Sequence, residues 1–342
     1  MMNHEFFLRK KNCALLVLLL LLGTMMFLLL CVGRYPVSPK DVYRIIIQFF
    51  SEETPEISVF ESNVILNIRI PRIMMAVLVG AALSVSGTIY QALFGNPPVS
   101  PDILGVSSGA GFGAAFAILI SGKTAVVQSS ALFFGIFAVA AVLNVFRIKG
   151  RGELYILVLS GIIVRSLFDA LVSFVKYTAD PEEKLPTITM WLMGSLANVS
   201  RQEMLTCAFI VLPCLVFVMK LRWKLNVLSL DADEARSLGI NARNLRLIMI
   251  LSATLMTAVT VSVCGIIGWI RLVVPHAARL LFGKDHRIVL PASALLGSIY
   301  LLLIDTAARS MTAGEIPLSI LTAIIGAPFF AVILRKTAGG RE

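Results

Sequence analysis

Two opposite charges interrupt an apolar stretch in the middle of the chain. Arg165 and Asp169 stand four positions apart within residues 154–175, a run that is otherwise uncharged. An isolated charge in hydrocarbon costs at least about 2.5–3.5 kcal/mol on insertion scales, so we expect both side chains to face the interior of a helix bundle. Two roles fit equally well: the residues form a structural ion pair, or Arg165 lines a pathway and attracts an anionic cargo.

Few other residues have the types and spacing that chemistry requires. The three histidines lie too far apart in the chain for a metal cluster, and no two of the five cysteines have the two-residue separation of a redox or zinc motif. Gly122-Lys123-Thr124 is similar to the end of a phosphate-binding loop, but Ala117 stands where that loop needs its first glycine. We therefore predict that the chain is not an enzyme and binds no metal or cofactor.

The composition identifies the environment of these residues. Of the 342 residues, 58% are apolar and 15% are charged, and the mean hydropathy is +0.88. A water-soluble globular protein carries about 25% charged residues, so this composition excludes that class and also excludes disorder. The net charge of +10 could suggest nucleic acid in a soluble protein, but in a membrane protein it is expected in cytoplasmic loops. We expect an all-α, polytopic membrane protein with no nucleic-acid partner.

The hydropathy pattern predicts about ten transmembrane helices in one domain over residues 1–342. The first, residues 13–32, is long enough to cross a hydrocarbon core of about 30 Å and lacks a following cleavage site, so it is a retained helix. The other predicted segments are 70–92, 104–122, 125–146, 154–175, 203–221, 247–268, 273–283, 289–308 and 317–334. The eighth is too short to cross alone, which predicts a half-span or re-entrant helix.

Ten crossings place both termini in the cytoplasm. The inner segments then carry most of the basic residues, and the outer ones most of the acids, as the positive-inside rule requires. One outer segment, about 177–201, contains a predicted short helix with Trp191. This helix is either a gate or an interfacial helix anchored by its tryptophan, and the two interpretations have equal weight.

The largest inner segment, about 222–246, has the capping pattern of two short helices. Asp231 can cap the first helix with Glu234 completing a capping box, Gly239 can end it, and Asn241 can open the second. A segment with defined caps holds a defined shape, which favours a docking site for a partner. The alternative is a solvated connection whose basic residues only follow the positive-inside rule.

Several motifs resemble those of a known family. Asp233 to Gly239 resembles the coupling loop of ABC importer permeases. Other stretches resemble the FecCD family, the permeases of ferric-siderophore, haem and cobalamin importers: Arg69-Ile70-Pro71-Arg72, Leu104 to Gly109, Trp191 to Ser195, Val274-Pro275-His276, Asp285-His286-Arg287 and Gly326 to Phe330. The resemblance extends from about residue 60 to 336 in the family's order and spacing.

The resemblance implies a permease subunit of an importer in the bacterial cytoplasmic (inner) membrane. It implies a homodimer, or a pseudodimer of two related permease chains, with the route on its two-fold axis. It also implies a periplasmic or surface binding protein outside and two cytoplasmic ATPase subunits that hydrolyse ATP. The cargo would be a metal chelate, first of all a ferric siderophore, with haem, cobalamin or a molybdate-type oxyanion as alternatives. The implied ATPase-coupling residues are Asp231, Glu234, Ala235, Arg236, Gly239, Asn241 and Arg243.

Three arginines match motif positions that the family uses to dock the binding protein. Arg69 and Arg72 precede or begin the second span, and Arg309 ends the ninth. A guanidinium suits this task because it forks onto a carboxylate and stays charged. The alternative is snorkelling of long side chains to the interface. Asp305, one turn before Arg309, is expected to orient that arginine.

Arg271 departs from the family pattern, which has glycine at this place between the seventh and eighth spans. We expect this cation either to add positive potential to the route or to snorkel outward. With Arg165, Asp169 and Trp191 it completes the predicted set of pathway or gate residues.

A carrier driven by an ion gradient is the competing class of transporter. It would need coupling carboxylates or broken helices in mirrored halves. Asp169 and Asp305 are the acids deep in predicted spans, and each has a basic residue one turn away. This arrangement favours the importer with a separate ATPase.

Overall fold

The computed structural model describes residues 2–33, 35–51, 58–95, 99–148, 154–228, 241–312 and 314–338, which contain helices and no strand. The α-helices of these ranges are α1 Met2–Cys31, α2 Pro39–Ser51, α3 Val59–Asn63, α4 Ile70–Phe94, α5 Val106–Ile120, α6 Thr124–Ile148, α7 Leu154–Thr178, α8 Lys184–Leu192, α9 Arg201–Leu228, α10 Ala242–Cys264, α11 Ile270–Phe282, α12 His286–Met311 and α13 Leu318–Ala338. A π-helical turn, Val64–Arg69, joins α3 to α4, and a 3₁₀ turn, Pro101–Leu104, precedes α5.

Each of the ten predicted spans coincides with a helix. Within the described ranges, seven helical stretches are long and apolar enough to cross a membrane: Lys10–Cys31, Val59–Phe94, Thr124–Val145, Tyr155–Thr178, Arg201–Leu228, Ala242–Cys264 and His286–Met311. Val106–Ile120 and Leu318–Val332 are shorter apolar helices. The thirteen residues of α11 extend only about 20 Å. This confirms the predicted all-α polytopic fold and its short eighth segment.

The centre of the bundle is α4, which is buried on nearly every face. Glycines allow two of its neighbours to approach its backbone closely. A Cβ on Gly80 would overlap the carbonyl oxygen of Gly297 on α12, and one on Gly87 would overlap that of Arg271 on α11. Backbone contact at these positions leaves no room for any other residue, and it fixes α11 and α12 against α4.

A second glycine-mediated contact joins α5 to α6. A Cβ on Gly109 would meet the Phe134 carbonyl, and one on Gly113 would meet that of Ser130. The Ser130 hydroxyl donates a hydrogen bond to the Gly113 carbonyl at 2.7 Å. The two helices are therefore packed backbone to backbone, which holds α5 rigidly beside α7 and α10.

The outer helix α8 confirms the predicted short helix with Trp191. Its end is tied to two distant elements: the Ser195 N–H donates to the Cys264 carbonyl at 2.8 Å, and the Leu318 N–H donates to the Gly194 carbonyl at 3.0 Å. Gly194 has a φ of +71°, a conformation that favours glycine. The turn after α8 thereby connects the end of α10 to the start of α13.

Candidate functional site

Arg72, in the first turn of α4, is part of a buried charge cluster near the outer end of the bundle. Its Nε and Nη2 donate to Asp305 at 3.0 and 2.8 Å, and its Nη1 and Nη2 donate to Glu315 at 3.0 and 2.9 Å. The side chain of Arg72 is 9% exposed, that of Asp305 1% and that of Glu315 26%. Such forked, charge-assisted bonds hold α4, α12 and the turn before α13 together.

Arg69 and Arg309, which neighbour this cluster, bind backbone carbonyls at and just after the end of α1. Arg69 donates to the carbonyls of Leu30 and Tyr35, and Arg309 donates to the Leu29 carbonyl at 3.0 Å. Both side chains are buried. The last carbonyls of a helix have no partner inside it and attract cations, which explains this placement.

The three predicted docking arginines, Arg69, Arg72 and Arg309, are buried and bonded within the chain. Their burial rules out the alternative of snorkelling to the interface, and docking of the binding protein stays a prediction. Asp305 forms its ion pair with Arg72 on another helix, and Arg309 bonds to the Leu29 carbonyl, so Asp305 does not orient Arg309 through the direct contact that we expected. The side chain of the cluster that reaches the surface most is Glu315, which the sequence analysis did not select.

The charge pair on α7 has the opposite environment. Arg165 Nε lies 3.5 Å from Asp169 Oδ2, and the two side chains are 52% and 54% exposed. The prediction that they face the interior of the chain's own bundle is therefore wrong. The inner face of α7 is occupied by backbone: a Cβ on Gly161 would overlap the Ile103 carbonyl, and Gly105 packs against the backbone of Arg165. The side chains of Arg165 and Asp169 consequently point away from the bundle.

Arg271 is a structural residue, which corrects its assignment to the pathway. It is 1% exposed, and its Nη1 lies 2.7 Å from Asp102 and 3.1 Å from the Ser107 hydroxyl. Its Nη2 donates to the Ile267 carbonyl at 2.9 Å. The ion pair joins α11 to the turn before α5, so Arg271 neither lines a route nor snorkels. The signal for this pairing was Asp102, a lone acid just before an apolar helix.

Trp191 is half-buried and packs on an apolar cluster that includes Ala110 and Ala114 of α5. A Cβ on Gly265 would overlap the Trp191 carbonyl, so the end of α8 lies directly on the break between α10 and α11. This position is compatible with both the gate and the anchor, and the choice between them stays a prediction.

The inner segment is described only at its two ends. Asn241 caps α10, because its Oδ1 accepts a hydrogen bond from the Asn244 N–H at 3.2 Å, and this confirms the predicted second helix. Arg243 is exposed in the first turn of that helix. The other predicted coupling residues, Asp231, Glu234, Ala235, Arg236 and Gly239, lie outside the described residues.

A polar junction joins α9 to α12 just before that segment. Asn226 donates to Asp285 Oδ1 at 2.8 Å and accepts from the His286 N–H at 2.9 Å. Burial tends to raise the pKa of Asp285, but hydrogen bonds from the Arg287 N–H and Asn226, with the Arg287 charge, hold this pKa below its usual range. The carboxylate is therefore an acceptor at neutral pH, and its bond with Asn226 connects the end of α9 to the start of α12.

The helices and their charged residues together define a class of protein. Apolar helices surround a buried α4, a charge cluster lies near one end, a polar junction lies at the other end, and one charge pair lies on an outward face. Among the described residues, no group of three or more histidine, cysteine, aspartate or glutamate side chains could hold a metal ion. The seven long apolar helices among the described residues make this the arrangement of a multi-pass membrane protein.

The comparisons identify the family. The FecCD transport family matches residues 17–336, and the chain belongs to this family. The molybdate import system permease protein MolB of Haemophilus influenzae is 40% identical over 90% of this chain and 91% of its own length. The "Probable iron chelatin transport system permease protein" of Helicobacter pylori strain 26695 is 43% identical, with coverage of 81% and 84%. A solved inward-facing structure of a metal-chelate-type ABC transporter has a TM-score of 0.85 and 40% identity, and covers 95% of this chain and 99% of that one.

Family membership makes the chain a permease subunit of an ABC importer, as the motifs predicted. Such a subunit spans the membrane, and ATP is hydrolysed by a separate ATPase subunit. The named relatives differ in cargo among iron chelates, haem, cobalamin and molybdate.

Proposed function

We propose that two copies of this chain form the route of an importer in the bacterial cytoplasmic membrane. The cargo is a negatively charged metal chelate, first of all a ferric siderophore, delivered by a binding protein on the outside. Two ATPase subunits bind the inner segment, about residues 222–246, and drive alternating access. Affinity for the cargo resides in the binding protein, so the route itself binds weakly.

The exposed pair of Arg165 and Asp169 is the observation that carries this proposal. At 1.5 Å per residue, the two residues lie about 16 and 22 Å along a 25-residue helix, close to its middle. Charges at this depth almost always face protein or a water-filled cavity rather than lipid. A second copy of α7 across a two-fold axis would provide that cover, and the pair would then line the axial route.

The opposite charges of Arg165 and Asp169 suit a route that attracts anions but does not bind them tightly. Arg165 attracts a negative cargo, while Asp169, 3.5 Å away, offsets most of the charge at longer range. The net attraction is therefore local and weak. A cation without this partner would hold an anionic chelate more tightly and slow its release.

The cluster of Arg72, Asp305 and Glu315 supports a docking mechanism in which the binding protein replaces one ion-pair partner of Arg72. Arg72 is already bonded to Glu315, the most exposed carboxylate of the cluster. We propose that an acidic side chain of the binding protein replaces Glu315 on the Arg72 guanidinium. Arg72 stays paired with Asp305 throughout, so the buried cation is never left uncompensated.

Coupling of the two ends is carried by α12. Its inner end is bonded to α9 through Asn226 and Asp285, and its outer end carries Asp305 and Arg309. The helix extends about 39 Å over 26 residues. A displacement produced by the ATPase at the end of α9 would thus reach the outer cluster through one continuous helix.

Transport in proteoliposomes tests the proposal. The complex of permease, ATPase and binding protein is reconstituted, and uptake of a ⁵⁵Fe-labelled anionic siderophore is measured with and without ATP. We expect uptake that requires ATP and the binding protein. Uptake that persists without ATP or the ATPase subunit would instead identify a carrier driven by an ion gradient.

Molybdate is the second candidate cargo. The observation that favours it is the identity of 40% with the Haemophilus influenzae molybdate permease across 90% of this chain. Elemental analysis of the ligand that copurifies with the binding protein separates the two: iron supports the chelate, and molybdenum supports the oxyanion.

A further inference from the structure

The geometry points to a binding site for an anionic phospholipid at the inner end of α9. An open groove of about 730 Å³ lies there, between α9 and the start of α12. Its floor is apolar and consists of Leu215, Val216 and Met219, and its cytoplasmic rim is basic, with Lys220, Arg222 and Arg287. This division matches an acyl chain beside a phosphate head group. The site is independent of the identity of the cargo.

The charge of the rim is unbalanced within the described residues. No acidic side chain lines the groove, and in the described ranges neither Lys220 nor Arg222 forms a salt bridge. Arg287 lies near Asp285, but that carboxylate already accepts hydrogen bonds from Asn226 and from the Arg287 backbone. The rim therefore offers a net positive site at the cytoplasmic end, where anionic lipids give the membrane surface its negative potential.

The apolar floor continues along an exposed face of α9. Leu205, Phe209, Leu212 and Val216 are all exposed and follow one another at spacings of four, three and four residues. This is one continuous stripe on a helix. A lipid whose phosphate lies at the basic rim would place its acyl chain on this stripe.

Trp223 indicates that the groove lies at the level of the lipid head groups. It lines the groove, is exposed, and has the Lys224 ammonium 5.6 Å from its ring centre. Tryptophan is enriched at the level of lipid head groups, where its ring is amphipathic. A free phosphate ion would use the basic rim but would gain nothing from Trp223 or from the stripe, so these features select a lipid.

Occupancy of the groove would act on the junction between α9 and α12. Arg287 belongs to the first turn of α12, next to Asp285, while Lys220 and Arg222 belong to α9. A phosphate bound between them would hold these two helices together at the point where the inner segment begins. The lipid would therefore stiffen the element that transmits motion from the ATPase.

Native mass spectrometry of the permease with its ATPase partner tests the site. The complex is titrated with phosphatidylglycerol, phosphatidylcholine of the same acyl length, and inorganic phosphate. We expect phosphatidylglycerol to be retained and neither of the others to compete with it. A basic residue near an anionic surface contributes roughly fivefold in affinity, so the triple variant K220Q/R222Q/R287Q should bind phosphatidylglycerol on the order of a hundredfold more weakly.

The matched control is K123Q/K176Q/K184Q, which removes the same charge from the outer ends of other helices. We expect phosphatidylglycerol binding by this variant to equal that of the unmodified chain. Equal loss in both triple variants, unchanged binding in the groove variant, or effective competition by phosphatidylcholine or phosphate would overturn the proposal.

A fluorescence measurement keeps the test independent of those variants. Phosphatidylglycerol with brominated acyl chains should quench Trp223, so the quenched fraction should fall in W223F, which retains the other two tryptophans. The measurement is made with and without the bound ATPase. Quenching that is absent from the complete complex would show that the ATPase covers the groove, and the lipid site would be rejected.

Discussion

Arg72 and Arg165 each pair with an aspartate, but the two ion pairs lie in opposite environments. Arg72 makes a forked contact at 2.8 Å with Asp305 on a different helix, and the two side chains are almost entirely buried. Arg165 makes a single contact at 3.5 Å with Asp169 on its own helix, and both side chains are half-exposed. The first pair is complete within one chain. The second is incomplete, because its depth in the membrane requires cover that one chain does not provide.

The difference separates charges that stabilise one chain from charges that the fold of one chain leaves exposed. Removing one partner of a buried ion pair typically costs about 3–5 kcal/mol, because the remaining charge is uncompensated. An exposed pair four residues apart on a helix contributes only about 0.3–0.5 kcal/mol. Substitutions in the outer cluster should therefore affect folding, while those on α7 should affect transport.

The largest expected effect is that of D305A on stability. The substitution leaves the buried Arg72 guanidinium with Glu315 alone, so we expect the free energy of unfolding to fall by about 3 kcal/mol. A reversible titration with sodium dodecyl sulfate measures this change. The matched control is R165A/D169A, which removes both charges of the exposed pair together, leaves no unpaired charge, and should change stability by less than about 0.5 kcal/mol. Equal losses in the two variants would refute the distinction.

The second largest effect is expected for R271G, which restores the residue typical of the family. The glycine leaves a cavity beside Asp102 and removes the bond to the Ile267 carbonyl, so we expect a loss of about 2–3 kcal/mol. Unfolding of D102N and of the double variant R271G/D102N completes a double-mutant cycle. A coupling energy near zero between positions 102 and 271 would show that the ion pair does not stabilise this chain.

The fold was largely predictable because the signals are local. Apolar runs predicted ten spans, and each coincides with a helix of the structure. The cap at Asn241 was predictable because asparagine is a common N-cap residue and stands directly before an apolar helical segment. The short helix with Trp191 could also be found this way. Each of these signals depends on a few neighbouring residues.

The direction of the site side chains was not predictable for a physical reason. Arg72 meets Asp305 across 233 positions, and Arg271 meets Asp102 across 169, so neither partner is visible from local spacing. Arg165 points outward because Gly105 and Gly161 bring other backbone against the inner face of α7. Only the assembled bundle shows which face of that helix is already occupied.

A smaller effect is expected for E315Q on binding of the substrate-binding protein. The substitution weakens the contact that must be exchanged on Arg72 but leaves the Arg72–Asp305 pair intact, so we expect a several-fold gain in affinity for permease in nanodiscs. Surface plasmon resonance measures this. The control is E182Q, which removes the same charge from an exposed position on another outer loop. An equal gain in both variants would mean that general electrostatics, rather than release of Arg72, causes the effect.

The double variant R165A/D169A should have the smallest effect on stability. We expect a change in the free energy of unfolding of less than about 0.5 kcal/mol, because the pair is exposed and makes one contact. Uptake of an anionic siderophore should nevertheless fall several-fold, whereas R165K/D169E, which keeps both charges, should retain it. If the neutralised variant transports the anionic cargo at the unmodified rate, the pair has no role in the route. The exposed face of α7 would then require another explanation, such as a contact between subunits away from the axis.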